Sequence, residues 1–170
     1  MEATVVAKDQ LQLAVLRAEG TFADFQLGKD VRRAWQELQA ALADHKSLIV
    51  NDSIGYVIYP QWGLEGQGNG DNHTLWVGVQ VKSFEELPEQ VEQVTIPSRR
   101  YVAAPCVGGK EEMHRMYGEL REWAIHQGCT IDNSEGAWTV EASRLKPVNP
   151  FEIPAEKIEA FDFDILYAIK

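Results

Sequence analysis

One short pattern occurs twice in this chain, and it limits the available folds more than any other feature. Over residues 27–42, Val31, Ala34, Trp35, Leu38, Ala41 and Leu42 recur at spacings of three and four. Over residues 110–126, Met113, Met116, Tyr117, Leu120, Trp123 and Ala124 do the same. Both stretches predict amphipathic helices, each with one apolar stripe to lay on a sheet. The stripes themselves read as core packing. Trp35-Gln-Glu37-Leu38 corresponds to Tyr117-Gly-Glu119-Leu120 at a displacement of 82 residues, and the same step carries Tyr56 to Trp138 and Tyr59 to Glu141. Gly128 stands where a helix stop belongs.

Short apolar runs flank each helix. Residues 11–16 and 101–104 precede the helices; 55–59 and 75–81 follow the first, 137–145 and 161–169 the second. Each half therefore reads strand–helix–strand–strand. The first repeat spans about residues 1–82 and the second about 95–170, with an acidic linker at 83–94 that carries Glu85, Glu86, Glu89 and Glu92. One helix covers only one face of its strands, so the halves must share a core. The expectation is a single α+β domain of tandem pseudo-twofold β-α-β-β repeats, with a central ligand cleft at their junction.

Charge narrows the function. In 170 residues, 16 Lys and Arg stand against 26 Asp and Glu, a net charge of −10. Phosphate binding needs clustered basic residues, so no direct nucleic-acid partner is expected, and cationic ligands are favoured instead. Residues of the apolar and aromatic types make up 45% of the chain, too many for a disordered acidic segment. No run of about 18 apolar residues could span a membrane, and the start shows no signal segment, so a cytoplasmic location is expected. Cys106 and Cys129 form no CxxC or Cys/His ligand set and read as small buried residues.

The repeats make their differences informative. Where the first copy has Tyr59, the second has Glu141, a carboxylate inside an apolar strand. Carboxylates are seldom buried without a partner. Around it the chain supplies Trp138, Tyr56, Tyr59, Trp76 and Tyr167 as aromatic wall candidates. Strand alternation sets Glu141 and Thr139 on one face, Trp138 and Val140 on the other. A carboxylate among aromatic rings suits a lipophilic cation, by charge pairing and cation–π contact.

Other motifs carry less. Residues 63–71 are dense in glycine but lack the Lys-Ser/Thr ending of a P-loop, and a strand follows them; they read as a hairpin connection. His45, His73, His114 and His126 have no metal-ligand spacing, and neither a metal nor a cofactor is expected. No GxSxG elbow occurs, and Ser98 and Ser143 have no evident base.

Taken in order, residues 13–20 (Leu-Ala-Val-Leu-Arg-Ala-Glu-Gly) leading to Trp35-Gln-Glu-Leu38, Tyr117-Gly-Glu-Leu120 to Trp123, Trp138-Thr-Val-Glu141 and residues 162–169 (Asp-Phe-Asp-Ile-Leu-Tyr-Ala-Ile) resemble the GyrI-like, or AraC-type effector-binding, family of multidrug-responsive regulators. The resemblance covers essentially the whole chain. It implies paired SHS2-like modules around a pocket where an acidic residue, here Glu141, meets cationic aromatic drugs. It departs from the family at Leu166, where an aromatic often stands; the tyrosine here is Tyr167. The match begins almost at Met1, so no DNA-binding segment is expected. The chain resembles stand-alone members, some of which travel on mobile integron cassettes. Three functions follow from the resemblance: a module binding lipophilic cationic small molecules, a hydrolase of cyclopropane-bearing toxins using Glu141 and Tyr59, and a protein-binding partner. A homodimer or a separate regulator protein are the macromolecular partners it suggests.

Overall fold

The computed structural model describes residues 1–63 and 71–170, so most of the glycine-rich 63–71 stretch lies outside the described residues. Among the described residues eight antiparallel strands form one sheet: β1 (Thr4–Lys8), β2 (Leu11–Gly20), β3 (Ile54–Pro60), β4 (His73–Gln80), β5 (Glu92–Ile96), β6 (Arg99–Gly108), β7 (Trp138–Arg144) and β8 (Phe161–Ala168). Helix α1 (Gln26–Ala41) follows β2, and α2 (Lys110–His126) follows β6. The fold is α+β, and both helices fall within a residue of the expected bounds. Gly109 caps α2 with its N–H donating to Glu112 Oε2 at 3.0 Å, and Gly128, at φ 77°, occupies the left-handed position that ends it.

The sheet order is β1-β6-β8-β7-β3-β4-β2-β5. Replacing each strand by its counterpart in the other half gives the same order read from the opposite edge. The halves meet where β3 runs along β7, from Ile54 opposite Arg144 to Pro60 opposite Trp138. Within that ladder Ile58 faces Val140, its partner 82 residues on. The outer strands are displaced by 88 residues instead, as Leu11 and Arg99 open β2 and β6.

Two strands depart from the expected halves. β1 was not anticipated, and β5 takes the end of the stretch read as a linker; both are short, mostly exposed edge strands. Each pairs with the other half: β1 with β6, β5 with β2. Their connections shape the molecule. Only Asp9 and Gln10 join β1 to β2, a reach of about 11 Å, whereas six spacings of about 4.8 Å separate these strands in the sheet. Pro97 and Ser98 impose the same condition on β5 and β6. The sheet must therefore roll until its two edges stand side by side.

Burial follows the roll. Helix α1 packs on β2 and β4 through Val31, Ala34, Trp35 and Leu38, while α2 packs on β6 and β8 through Met116, Leu120 and Ala124. The inner face holds Leu13, Val15, Ile58, Ile96, Tyr101, Val140 and Leu166, drawn from six strands and no helix. Gln61, just past β3, pins the halves together. Its amide donates to the carbonyls of Asp132 and Ala168 at 2.7 and 3.0 Å, and its oxygen accepts from Thr139 Oγ1 and the Ala168 N–H at 2.9 and 2.8 Å. Every hydrogen-bonding capacity of that buried carboxamide is used. Among the described residues no helix is long and apolar enough to cross a membrane.

Candidate functional site

Alternation along β7 decides what Glu141 meets. Ala142 and Val140 point into the roll, so Glu141 points outwards, to the face that carries the helices. It stands opposite Val57 on β3 and Ile165 on β8, on the fourth strand from one edge, and is half-buried. Two residues along these neighbours, on the same face, come Tyr59 and Tyr167. From above, Tyr117 on α2 donates its phenol hydrogen to Glu141 Oε2. Tyr167 donates at 3.5 Å to the Tyr117 carbonyl, and the Arg121 guanidinium lies 5.5 Å over its ring. Three phenols thus gather on one carboxylate.

The segment between β7 and β8 packs on α1. Phe151 stacks on Trp35 at 4.5 Å, and Arg32 donates to the carbonyls of Ile153 and Pro150 at 2.9 and 3.3 Å. Lys110 Nζ, at the start of α2, lies 4.5 Å over the ring of Phe25, just before α1. Phe25 and its neighbour Asp24 hold left-handed backbone, which non-glycine residues seldom adopt, and Phe25 and Phe22 are exposed.

Burial raises the Glu141 pKa from 4.5 to about 7, against hydrogen bonding from Tyr117 and the nearby Tyr59 phenol, which holds it down. Tyr59 and Tyr117 are pushed well above the ordinary tyrosine value, first by burial and then by the Glu141 charge. Burial pushes Tyr167 up to about 12, opposed by Arg121. Cys106, buried on the same face, has its thiol pushed up by burial and by the Glu141 and Glu112 carboxylates. Among the described residues no Lys or Arg forms an ion pair with Glu141. The carboxylate is held by neutral donors alone, so it remains an uncompensated negative charge whenever ionised.

The six anticipated site residues fall into two groups. Glu141, Tyr59 and Tyr167 share the helix-bearing face. Tyr56, Trp76 and Trp138 lie on the inner face, where Trp138 meets Trp76 and Trp62 edge-on at 5.5 and 5.0 Å. The placement of tyrosine at 167 rather than 166 puts the aromatic on the Glu141 side, while Leu166 joins the inner core. The residue missed was Tyr117, read as plain core. Its signal was there: the first copy of the stripe has Trp35, buried and apolar, where the second has a ring with a hydroxyl.

The sequence profile of the Cass2 family, described as integron-associated effector binding protein, matches residues 4–169. Among curated proteins no sequence matches the chain. Similar solved structures include SAV2435 bound to tetraphenylphosphonium (14% identity, all of this chain, 94% of that one, TM-score 0.62). The EcmrR C-terminal domain is another (15%, 99% and 97%, TM-score 0.67). A third is a hydrolase encoded by lin2189 from Listeria innocua (10%, 99% and 91%, TM-score 0.57). At these identities the likeness is one of fold. The match across residues 4–169 is what places the chain: it belongs to the integron-associated effector-binding proteins.

Proposed function

We propose that this protein is a small-molecule binding module for lipophilic cationic aromatic compounds, with Glu141 as the counter-ion and Tyr59, Tyr117 and Tyr167 as the surrounding wall. One observation carries the reading: a half-buried carboxylate on a central strand is held by phenols and paired with no cation. Ionising it there costs free energy, which a bound cation offsets by direct charge pairing, while the rings add cation–π contact and apolar area. A hydrated inorganic cation would gain little from that wall; a delocalised organic one gains most. The cation-bound neighbour SAV2435 supports this choice of ligand class. Free Cys106 and Cys129 suit a reducing, cytoplasmic setting, and the net charge of −10 opposes direct nucleic-acid binding.

The test is a fluorescence titration with a cationic rhodamine ester and a neutral analogue of like shape. The cation should bind more tightly, and Glu141→Gln should weaken it by about 1–3 kcal/mol, as for a charge-assisted contact. Equal affinity for wild type and variant removes Glu141 as the counter-ion.

The hydrogen bond from Tyr117 to Glu141 also favours a second reading, hydrolysis of a strained electrophilic ring. The carboxylate would take a proton from water as the water oxygen bonds to ring carbon; the released electron pair would take a proton from a phenol, Tyr59 or Tyr117. The fold likeness to a Listeria hydrolase supports it. Incubation with excess cyclopropane-bearing alkylator decides: more than one product molecule per protein, lost in Glu141→Gln, favours the enzyme.

A further inference from the structure

A cavity lies on the other side of the strand that carries Glu141. Val140 and Ala142, the residues either side of Glu141, turn into the roll and line a space of about 410 Å³ with Val6, Leu166, Tyr56 and Tyr101. That volume falls in the range of small-molecule sites. The opposite end of the inner face is filled by Trp62, Trp76 and Trp138 in edge-on contact. Where the tryptophans stop, the roll is left open.

The polar groups of this cavity distinguish it from the Glu141 side. Tyr101 is only 3% exposed as a residue and lines the cavity, and its hydroxyl donates to no other described residue. Tyr56, half-buried, likewise has no partner for its hydroxyl. Both hydroxyls stand open to the cavity, two donors over an apolar floor that a ligand oxygen could engage in place of solvent. The charges of the lining are compensated or solvated. Asp164 is gripped by Arg144 at 3.1 and 3.3 Å, and Glu2, Lys8 and Asp9 are exposed at the rim.

We infer that the inside of the roll is a second binding site, separated from Glu141 by the thickness of the sheet, for a neutral apolar small molecule carrying a carbonyl or ether oxygen. The floor takes the apolar body, and the phenols of Tyr56 and Tyr101 donate to the oxygen. The two faces of one strand would then select opposite ligands: a cation outside, a neutral acceptor inside.

Nile red, a neutral dye with a ring carbonyl, is a suitable probe, titrated by fluorescence into the wild-type protein. Saturable binding is expected, unchanged by Glu141→Gln and not displaced by tetraphenylphosphonium. Tyr56→Phe and Tyr101→Phe should each weaken it about fivefold, the loss of one neutral hydrogen bond. Ala142→Phe, which fills the cavity from its half-buried edge, should abolish it while circular dichroism confirms the fold. Should Tyr101→Phe fail to fold, Tyr56→Phe and Ala142→Phe carry the same test. Absence of saturable binding, displacement by the cation, loss in Glu141→Gln, or binding indifferent to Ala142→Phe each overturns the inference.

Discussion

Glu141→Gln should make the protein more stable, and only at higher pH. In the folded protein the carboxyl titrates at about 7 rather than 4.5, because burial disfavours the ionised form. Between these values the folded state holds a proton that the unfolded chain has released. Stability from this group is therefore full below pH 4.5 and is lost as pH rises through about 7. At about 1.4 kcal/mol per pH unit the interval is worth at most about 3 kcal/mol, discounted because the residue is only half-buried. Glutamine keeps the shape and an oxygen to accept from Tyr117, but has no proton to lose. Urea denaturation of both proteins at pH 4.5 and pH 8 isolates the effect, because every other titrating group cancels in the difference. The stability gap should widen in favour of Glu141→Gln by about 2–3 kcal/mol over that range, or about 4–12 °C in Tm for a domain of this size. Parallel pH profiles for the two proteins would refute the burial argument, and with it the claim that the site stores a cost for a cation to offset.

Tyr117→Phe removes the direct donor to Glu141, so the carboxyl pKa should rise further and cation affinity at pH 7 should fall about tenfold, read by titration across pH 6–9. Wild-type cation affinity itself should decline as pH falls through about 7, with binding releasing protons in that interval; buffer-dependent calorimetric heats measure them. Gln61→Leu strands the Thr139 hydroxyl, the Ala168 N–H and two carbonyls inside the joint between the halves, and should cost about 3–5 kcal/mol in urea unfolding. Gly78→Ala would set a Cβ 2.3 Å from the Ala14 carbonyl oxygen, in backbone that cannot yield without breaking the β2–β4 ladder; a drop of at least about 5 °C in Tm is expected.

The periodic features of this protein are written locally. Trp35 and Tyr117 recur in stripes that any amphipathic helix must show, and the alternation around Glu141 fixes which residues share its face before any partner is known. The displacement of 82 residues survives as the Ile58–Val140 pair at the centre of the sheet. What the chain conceals is non-local. β1 and β5 are exposed edge strands of only five residues each, yet their two-residue connections are what force the sheet to roll. The roll then sends Tyr56, Trp76 and Trp138 inside and leaves Tyr59 and Tyr167 outside with Glu141. Tyr117 reaches the carboxylate because α2 packs over β6 and β8, beside the strand that carries Glu141, and a helical stripe specifies its own face but not the strand beneath it. Residue pattern set the elements and their faces; pairing between distant segments, enforced by chain connectivity, chose which hydroxyl meets which acid.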